Sequence, residues 1–324
     1  MSVLVFAENS QGIFKKPTFE AASYGYDLAQ ALGTDVCAVS VGMVDQNELA
    51  KLGTYGVSRV FSVSNEQLNS FANAAYASAI HKVSKQIEAS VIVLSETYNG
   101  RAIAPRVAVK SKASVMPGLM SLVDTANHFQ AQRLSYSGKG VQSLQASGDK
   151  LLITVRKNGY KIDENPVEVT IEEVSYSPDF NSLNALAKEI VKASDGISLT
   201  EADNVVSAGR GMKGPENWGM IEELANLIGA ATACSKPTAD MGWRPHHEHV
   251  GQTGIQISPN LYIAIGISGA IQHLAGVSSS KNIVVINKDP EAPFFKIADF
   301  GVVGDLFDVV PQLINEIKSI KAEG

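Results

Sequence analysis

The feature that most constrains this chain is an alternation. Short β-branched runs are each followed by a longer stretch of helical period, and the pattern occurs in both halves of the sequence. Near the start come Val3–Phe6, a helical pattern over Phe19–Leu32 closed by Gly33, Val36–Val41, a long helix over about 70–87, and Val91–Leu94. A buried strand followed by a helix that returns across it builds a parallel sheet. After Ser114 the texture changes to period-2 segments, His128–Arg133, Leu151–Val155 and Val167–Glu172, separated by Gly, Asn and Pro turns. These read as an antiparallel appendage. A polar connection from Tyr176 through a short helix ending at Val191 to Thr200 carries no core pattern of its own. Beyond it the alternation resumes with Val205-Val206, a Gly-rich loop, a helix, Ala230–Cys234, Leu261–Ile265, a helix, Ile283–Ile286 and a last helix over 306–320. The expected fold is α/β in two domains. Residues 1–195 would form a parallel-sheet domain with the appendage, and 196–324 a doubly wound domain.

A length of 324 residues fits that division, at about 150 residues per domain. The chain is 45% apolar and 19% charged, with 27 Lys and Arg against 33 Asp and Glu, a net charge of −6. That balance excludes wholesale disorder and argues against a partner bound through phosphate neutralisation, so no nucleic acid is expected. The longest apolar stretch, Leu261–Val277, is broken by Ser268, Gln272 and His273. It falls short of the about 20 clean residues of a membrane span. A strand begins almost at once, without a basic leader, and Cys37 and Cys234 sit alone in small or apolar runs. The expectation is a cytoplasmic protein with two buried, inert thiols.

Polar residues gather where strands should end. Gly209-Arg-Gly-Met-Lys-Gly214 matches the dinucleotide fingerprint G-x-G-x-x-G after a strand, yet Pro215 makes Gly214 a cap rather than a packing glycine. The next strand ends Cys234-Ser235-Lys236 instead of in the acidic residue that would hold a ribose. A hydroxyl and a cation suit a phosphate or an electron-rich ring, and Arg210 is a second such cation. Leu261–Ile265 runs into Gly-Ile-Ser-Gly and a helix. Ser268 is placed to cap that helix, Gly269 to let a ligand meet bare N–H groups, and Gln272 and His273 to donate from the first turn. Val250-Gly-Gln-Thr-Gly254 offers two polar side chains between glycines. Asn287 ends a strand, and Asp299 and Asp305 flank Gly301 and Gly304. His246-His-Glu-His249 lacks the separated ligand pairs of a zinc site and reads as an exposed loop.

The runs Leu261–Gly276 and Ile283–Pro293, with Val250–Gly254 and Ala208–Gly211, closely resemble the signature of the electron transfer flavoprotein alpha subunit. The N-terminal half resembles it more loosely, through its βαβ start and the helix at Arg101–Val107. The resemblance implies FAD held by the C-terminal domain, in a heterodimer whose beta subunit packs on the N-terminal domain and completes the flavin pocket. By the same resemblance Thr253 approaches flavin N5, His273 the C2 carbonyl side, and Lys236 the ring. Arg210, Ser235, Gln252, Ser268, Gly269, Gln272, Asn287 and Asp305 meet the pyrophosphate, ribityl or adenosine parts, and Gly254 and Ala270 join the cofactor-binding set. The family usually carries Arg where this chain has Lys236, which keeps the charge and loses the planar fork. The implied activity is an electron shuttle from dehydrogenases, such as acyl-CoA dehydrogenases of fatty acid β-oxidation, to a quinone reductase or other acceptor oxidoreductase. Two alternatives stay open: the alpha subunit of a bifurcating, NADH-oxidising relative, and an interaction subunit with an empty flavin site.

Overall fold

The computed structural model describes residues 2–126, 129–136, 140–178, 198–200 and 202–323. The chain divides into two compact units, Met1–Ile190 and Val191–Gly324. The expected boundary near 195 and the expected helix through Val191 lie outside the described residues.

In the first unit β1 (Ser2–Phe6), α1 (Lys16–Leu32), β2 (Asp35–Val41), β3 (Arg59–Val63), α2 (Asn73–Gln86), β4 (Val91–Ser95), α3 (Tyr98–Ser111) and β5 (Ser114–Leu119) follow the expected alternation. Pro17 opens α1 and Gly33, at φ 63°, ends it in the left-handed conformation. Next come β6 (Gln130–Ser135), β7 (Gly140–Gln145), β8 (Leu151–Val155) and β9 (Thr170–Glu173). Among the described residues these strands form one sheet in the order β9-β3-β2-β1-β4-β8-β5-β6-β7. The expected antiparallel appendage is present but smaller than the sequence suggested. It is the β6–β7 hairpin, joined to β5 through the pair Leu119 and Arg133.

Two strands assigned to the appendage belong elsewhere. Leu151–Val155 lies parallel between β4 and β5, with all five residues buried, and β9 runs parallel to β3. The reason is composition: Leu-Leu-Ile-Thr-Val is a continuous apolar run, which suits a strand covered on both faces, as central parallel strands are. Alternate residues of β1 confirm the two covered faces. Val3 and Val5 join one core cluster with Ala21, Ala22 and Leu28 of α1, while Leu4 and Phe6 join another with Ile80 of α2 and Ile103 of α3.

The second unit contains β10 (Asn204–Ala208), α4 (Gly219–Leu227), β11 (Ala231–Cys234), a short α5 (Lys236–Asp240), β12 (Leu261–Ile265), α6 (Ile271–Val277), β13 (Asn282–Asn287), β14 (Phe300–Val303) and α7 (Leu306–Glu323). Its strands are all parallel in the order β11-β10-β12-β13-β14. The order reverses beside β10, where a doubly wound sheet opens its crevice. Strand β14 was not expected; its four residues are exposed. Cys37 and Cys234 are free and buried, and burial raises both thiol pKa values, that of Cys234 to about 11. Among the described residues no helix is long and apolar enough to cross a membrane.

Candidate functional site

A cavity of about 770 Å³ lies over the carboxyl ends of β10, β11, β12 and β13. Of the expected residues, Arg210 comes from the loop after β10, and Ser235 and Lys236 from the start of α5. Ser268, Ala270, Gln272 and His273 come from the loop and helix after β12, and Asn287 ends β13. Gln252 and Thr253 reach the cavity from the 251–254 turn. That turn is held by a bond from the Gln252 N–H to the Gln272 carbonyl at 2.7 Å. An adjoining cavity of about 380 Å³ shares Arg210, Gly266 and Asn287 and adds Lys213, Lys288 and Asp305.

Several expected residues do other work than the sequence implied. Ser268 caps nothing: the residue before α6 is Ala270, without a side-chain cap, and the Ser268 carbonyl accepts the Phe294 N–H at 3.2 Å. Gly269, at φ +86°, does not line the cavity, and a Cβ there would lie 2.5 Å from the Phe294 nitrogen. Its lack of a side chain permits the close approach of Phe294. Gly254 likewise lies off the cavity, against the His249 carbonyl. Asp305 lies in the adjoining cavity and accepts the Phe307 N–H at 3.0 Å, so it caps α7. Asn287 clamps the β12 loop by donating to the Ile267 carbonyl. Asp299 faces the other end of the sheet and accepts the Ile283 N–H at 2.7 Å. In the Gly209–Gly214 motif the first two glycines admit the backbone of Gly266; a Cβ on either would come within 2.7 Å of it.

The loop His246–His249 is a mixed case. His246 and His247 are exposed as expected, but Glu248 and His249 are buried, and His249 lines the cavity. Arg244 explains this. Its guanidinium donates twice to Glu248, at 2.8 and 2.6 Å, and once to Glu222 of α4 at 2.7 Å, and it lies over the Trp218 ring. The following residue is thereby turned inward, where His249 pairs with Cys234 as an extra bridge beside β11. Burial lowers the His249 pKa, Lys236 and His246 add to the effect, and Asp240 opposes it.

His273 is the most confined polar group of the cavity. It is 6% exposed, and its Nε2 lies 2.8 Å from the Tyr262 hydroxyl. Its Nδ1 is buried, and the Val250 backbone is the hydrogen-bonding group that acts on the ring. Burial, then the nearby His249, push its pKa down to about 4, so the ring is neutral at pH 7. Arg210 and Lys236 are exposed at the rim, and among the described residues neither forms an ion pair. Two uncommitted cations and one buried imidazole nitrogen around a cavity of this size suit an extended anionic ligand with an acceptor-rich ring.

Comparison with known proteins assigns that ligand. The electron transfer flavoprotein FAD-binding domain matches residues 198–278, and the electron transfer flavoprotein domain matches 3–179. The electron transfer flavoprotein subunit alpha of Syntrophomonas wolfei is 36% identical over 315 residues, covering 97% of this chain and 98% of that protein. The chain belongs to the electron transfer flavoprotein alpha-subunit family. Its namesake in Bacillus subtilis is 34% identical and that in Paracoccus denitrificans 36%, each over 98% of this chain. Protein FixB of Clostridium saccharobutylicum is 32% identical over the same share. The cofactor of this electron transfer flavoprotein chain is FAD, matched to the C-terminal unit. The donor set passes the test of fit: cations for a pyrophosphate, and a neutral buried imidazole for a ring edge.

Proposed function

We propose that this chain is the alpha half of a heterodimeric electron carrier, which receives electrons from dehydrogenases and passes them to a quinone reductase or another acceptor. The observation that carries the reading is the one-sided cavity. Its inner wall is buried, with Val250, Ile267 and His273, whereas Lys236, Gln252, Thr253 and Gln272 on its rim are exposed. A ligand ring seated there stays reachable from one side, which suits completion by a beta subunit and electron exchange with changing partners. FAD, when bound, supplies the redox chemistry. The chain's own residues do the rest: Arg210 and Lys236 offer charge, His273 a hydrogen bond, and the buried wall excludes water from one face. The proposed cofactor set is Arg210, Ser235, Lys236, Gln252, Thr253, Ser268, Ala270, Gln272, His273 and Asn287, with Asp305 at the adjoining cavity.

The test is the visible spectrum and FAD content of the chain co-purified with its partner subunit. One FAD per heterodimer supports the carrier, two would favour the bifurcating, NADH-oxidising alternative, and none would leave an interaction subunit.

A further inference from the structure

His249 is the cavity residue to which the proposed function gives no role. It is 8% exposed and lines the cavity, in the segment that Arg244 turns inward through Glu248. Its ring lies across the 251–254 turn. A Cβ on Gly254 would stand 2.8 Å from its Nδ1 and one on Gly251 3.3 Å from its Nε2, so these two glycines leave the space that the imidazole fills. Among the described residues no hydrogen bond reaches either ring nitrogen, whereas the other buried histidine of the cavity, His273, has Tyr262. Nor are the His249 nitrogens sealed in: the fully enclosed side-chain atoms without a partner belong to Ser40, Ser207, Trp218 and His273. A polar ring this buried calls for a partner, and its open side is the cavity it lines.

We infer that His249 is a further ligand-facing residue of the flavin cavity, an imidazole that takes up a proton when the anionic cofactor enters and so couples FAD binding to proton uptake. The charges around the ring decide its state. From α5, Lys236 opposes a proton and Asp240 favours one, and from its own loop His246 opposes it. Glu248 is committed to Arg244. His273 on α6 is neutral, and Cys234 on β11 keeps its proton because burial raises the thiol to about 11. Arg210 and Asp289, one of each sign, line the same cavity. Burial is the largest influence, so the His249 ring is neutral at pH 7 in the open cavity. An anion within about 6 Å favours the imidazolium instead. The proton taken up then adds a positive charge to those of Arg210 and Lys236, on a ring that the turn already holds in place. By reciprocity, whatever FAD does for the affinity of the proton, the proton does for the affinity of FAD.

The inference rests on the FAD reading for the identity of the anion. It is tested by calorimetry of FAD binding to the cofactor-stripped complex with the partner subunit, near pH 6.5 in two buffers of different ionisation enthalpy, which counts protons. The FAD pyrophosphate is a diester and keeps its charge, so any proton gained belongs to the protein. The native complex should take up a measurable fraction of a proton per FAD, and its FAD dissociation constant should fall several-fold from about pH 8.5 to about pH 6. His249→Gln should take up none, show a flat profile and match the native protein at the alkaline end, while His246→Gln, at an exposed position, should behave as native. No uptake in the native complex, which needs no variant to fold, or equal uptake in His249→Gln would overturn it. If the complex takes no FAD the functional reading fails, and the same count with ADP-ribose, likewise a pyrophosphate diester, decides the inference. Uptake lost in His249→Gln then upholds it, and no uptake or no binding overturns it.

Discussion

Both units are α/β with mainly parallel strands, and in each the strand order reverses beside the first strand, yet the two use that point in opposite ways. In the N-terminal unit the reversal falls between β1 and β4. There Glu8 accepts from the Thr97 hydroxyl at 2.5 Å and from the Asn99 amide at 2.9 Å, Ser95 donates to the Pro17 carbonyl, and Glu96 pairs with Arg101. Thr97 also caps α3. The polar groups at these strand ends are committed to one another. In the C-terminal unit the matching position carries Arg210 and Lys236, neither in an ion pair among the described residues, beside a cavity of about 770 Å³. The same topology therefore yields a structural knot in one unit and a binding site in the other. What separates them is whether the side chains after each strand can satisfy each other.

The largest test of that contrast is glycine geometry. Gly269→Val places a β-branched residue at φ +86° with its Cβ 2.5 Å from Phe294. A left-handed backbone and an overpacked contact together cost about 4 kcal/mol. Gly33→Ala, at φ +63° in open space, costs about 1 kcal/mol. Trp218 and Trp243, the chain's two tryptophans, both lie in the C-terminal unit. Urea unfolding followed by tryptophan fluorescence, which reports the C-terminal unit, and by far-UV circular dichroism, which reports both units, should thus show a strong shift for Gly269→Val, with loss of FAD, and a far smaller one for Gly33→Ala. Equal shifts would mean that the cavity wall is no more tightly determined than a helix end.

How much of this was legible in the sequence follows from which signals are local. The alternation gave both parallel sheets, because each strand and helix carries its own period. Leu151–Val155 was misassigned because its surroundings alternate and it does not; only its burial on both faces reveals a central strand. Strand β14 escaped notice because Gly301 and the flanking Asp299 look like a turn, and its exposed residues show no buried face. His249 was hidden by its exposed neighbours His246 and His247. The signal that could have found it is Arg244 four residues before Glu248, a spacing that pairs a cation with a carboxylate across one turn. Ser268 shows the reverse error. A Ser-Gly before a helix reads as a cap, but the backbone bond to Phe294, twenty-six residues on, is invisible locally.

The next effect concerns acid. Unfolded, His273 would titrate near 6.5; folded, near 4. Below pH 6.5 the unfolded chain takes up a proton that the folded one refuses. Stability is therefore lost as pH falls from about 6.5 to about 4, at up to about 1.4 kcal/mol per pH unit and about 3 kcal/mol in all. His273→Gln should remove that part of the acid dependence in the fluorescence-detected transition. In the N-terminal unit His81 is half-buried, and its pKa is lowered by burial and by Lys110, Lys150 and Lys85. Being more open to solvent, it should contribute less, and His81→Gln should leave the acid slope of the circular-dichroism transition, which reports its own unit, nearly as it was. A slope unchanged by His273→Gln would place its imidazole in water and undo the contrast between the units.

The smallest effect belongs to Lys236, which separates binding from stability most cleanly. The side chain is exposed at the start of α5, so removing it should alter unfolding by no more than about 0.5 kcal/mol. Its ammonium nevertheless stands at the rim of the cavity, without a paired carboxylate among the described residues. Facing an anionic ligand in partly solvated surroundings, such a charge contributes on the order of 1 kcal/mol, or about fivefold in affinity. Lys236→Ala in the co-purified complex should therefore weaken FAD binding several-fold at low salt. The difference from the native protein should shrink toward 1 M salt, where the screening length falls to about 3 Å. Lys236→Arg should hold or tighten binding, because a planar fork can pair with two oxygens or lie against a ring while the ammonium acts as a point charge. A loss in Lys236→Ala that does not respond to salt would mean that the side chain acts through the packing of α5, as the committed residues of the N-terminal unit act through theirs.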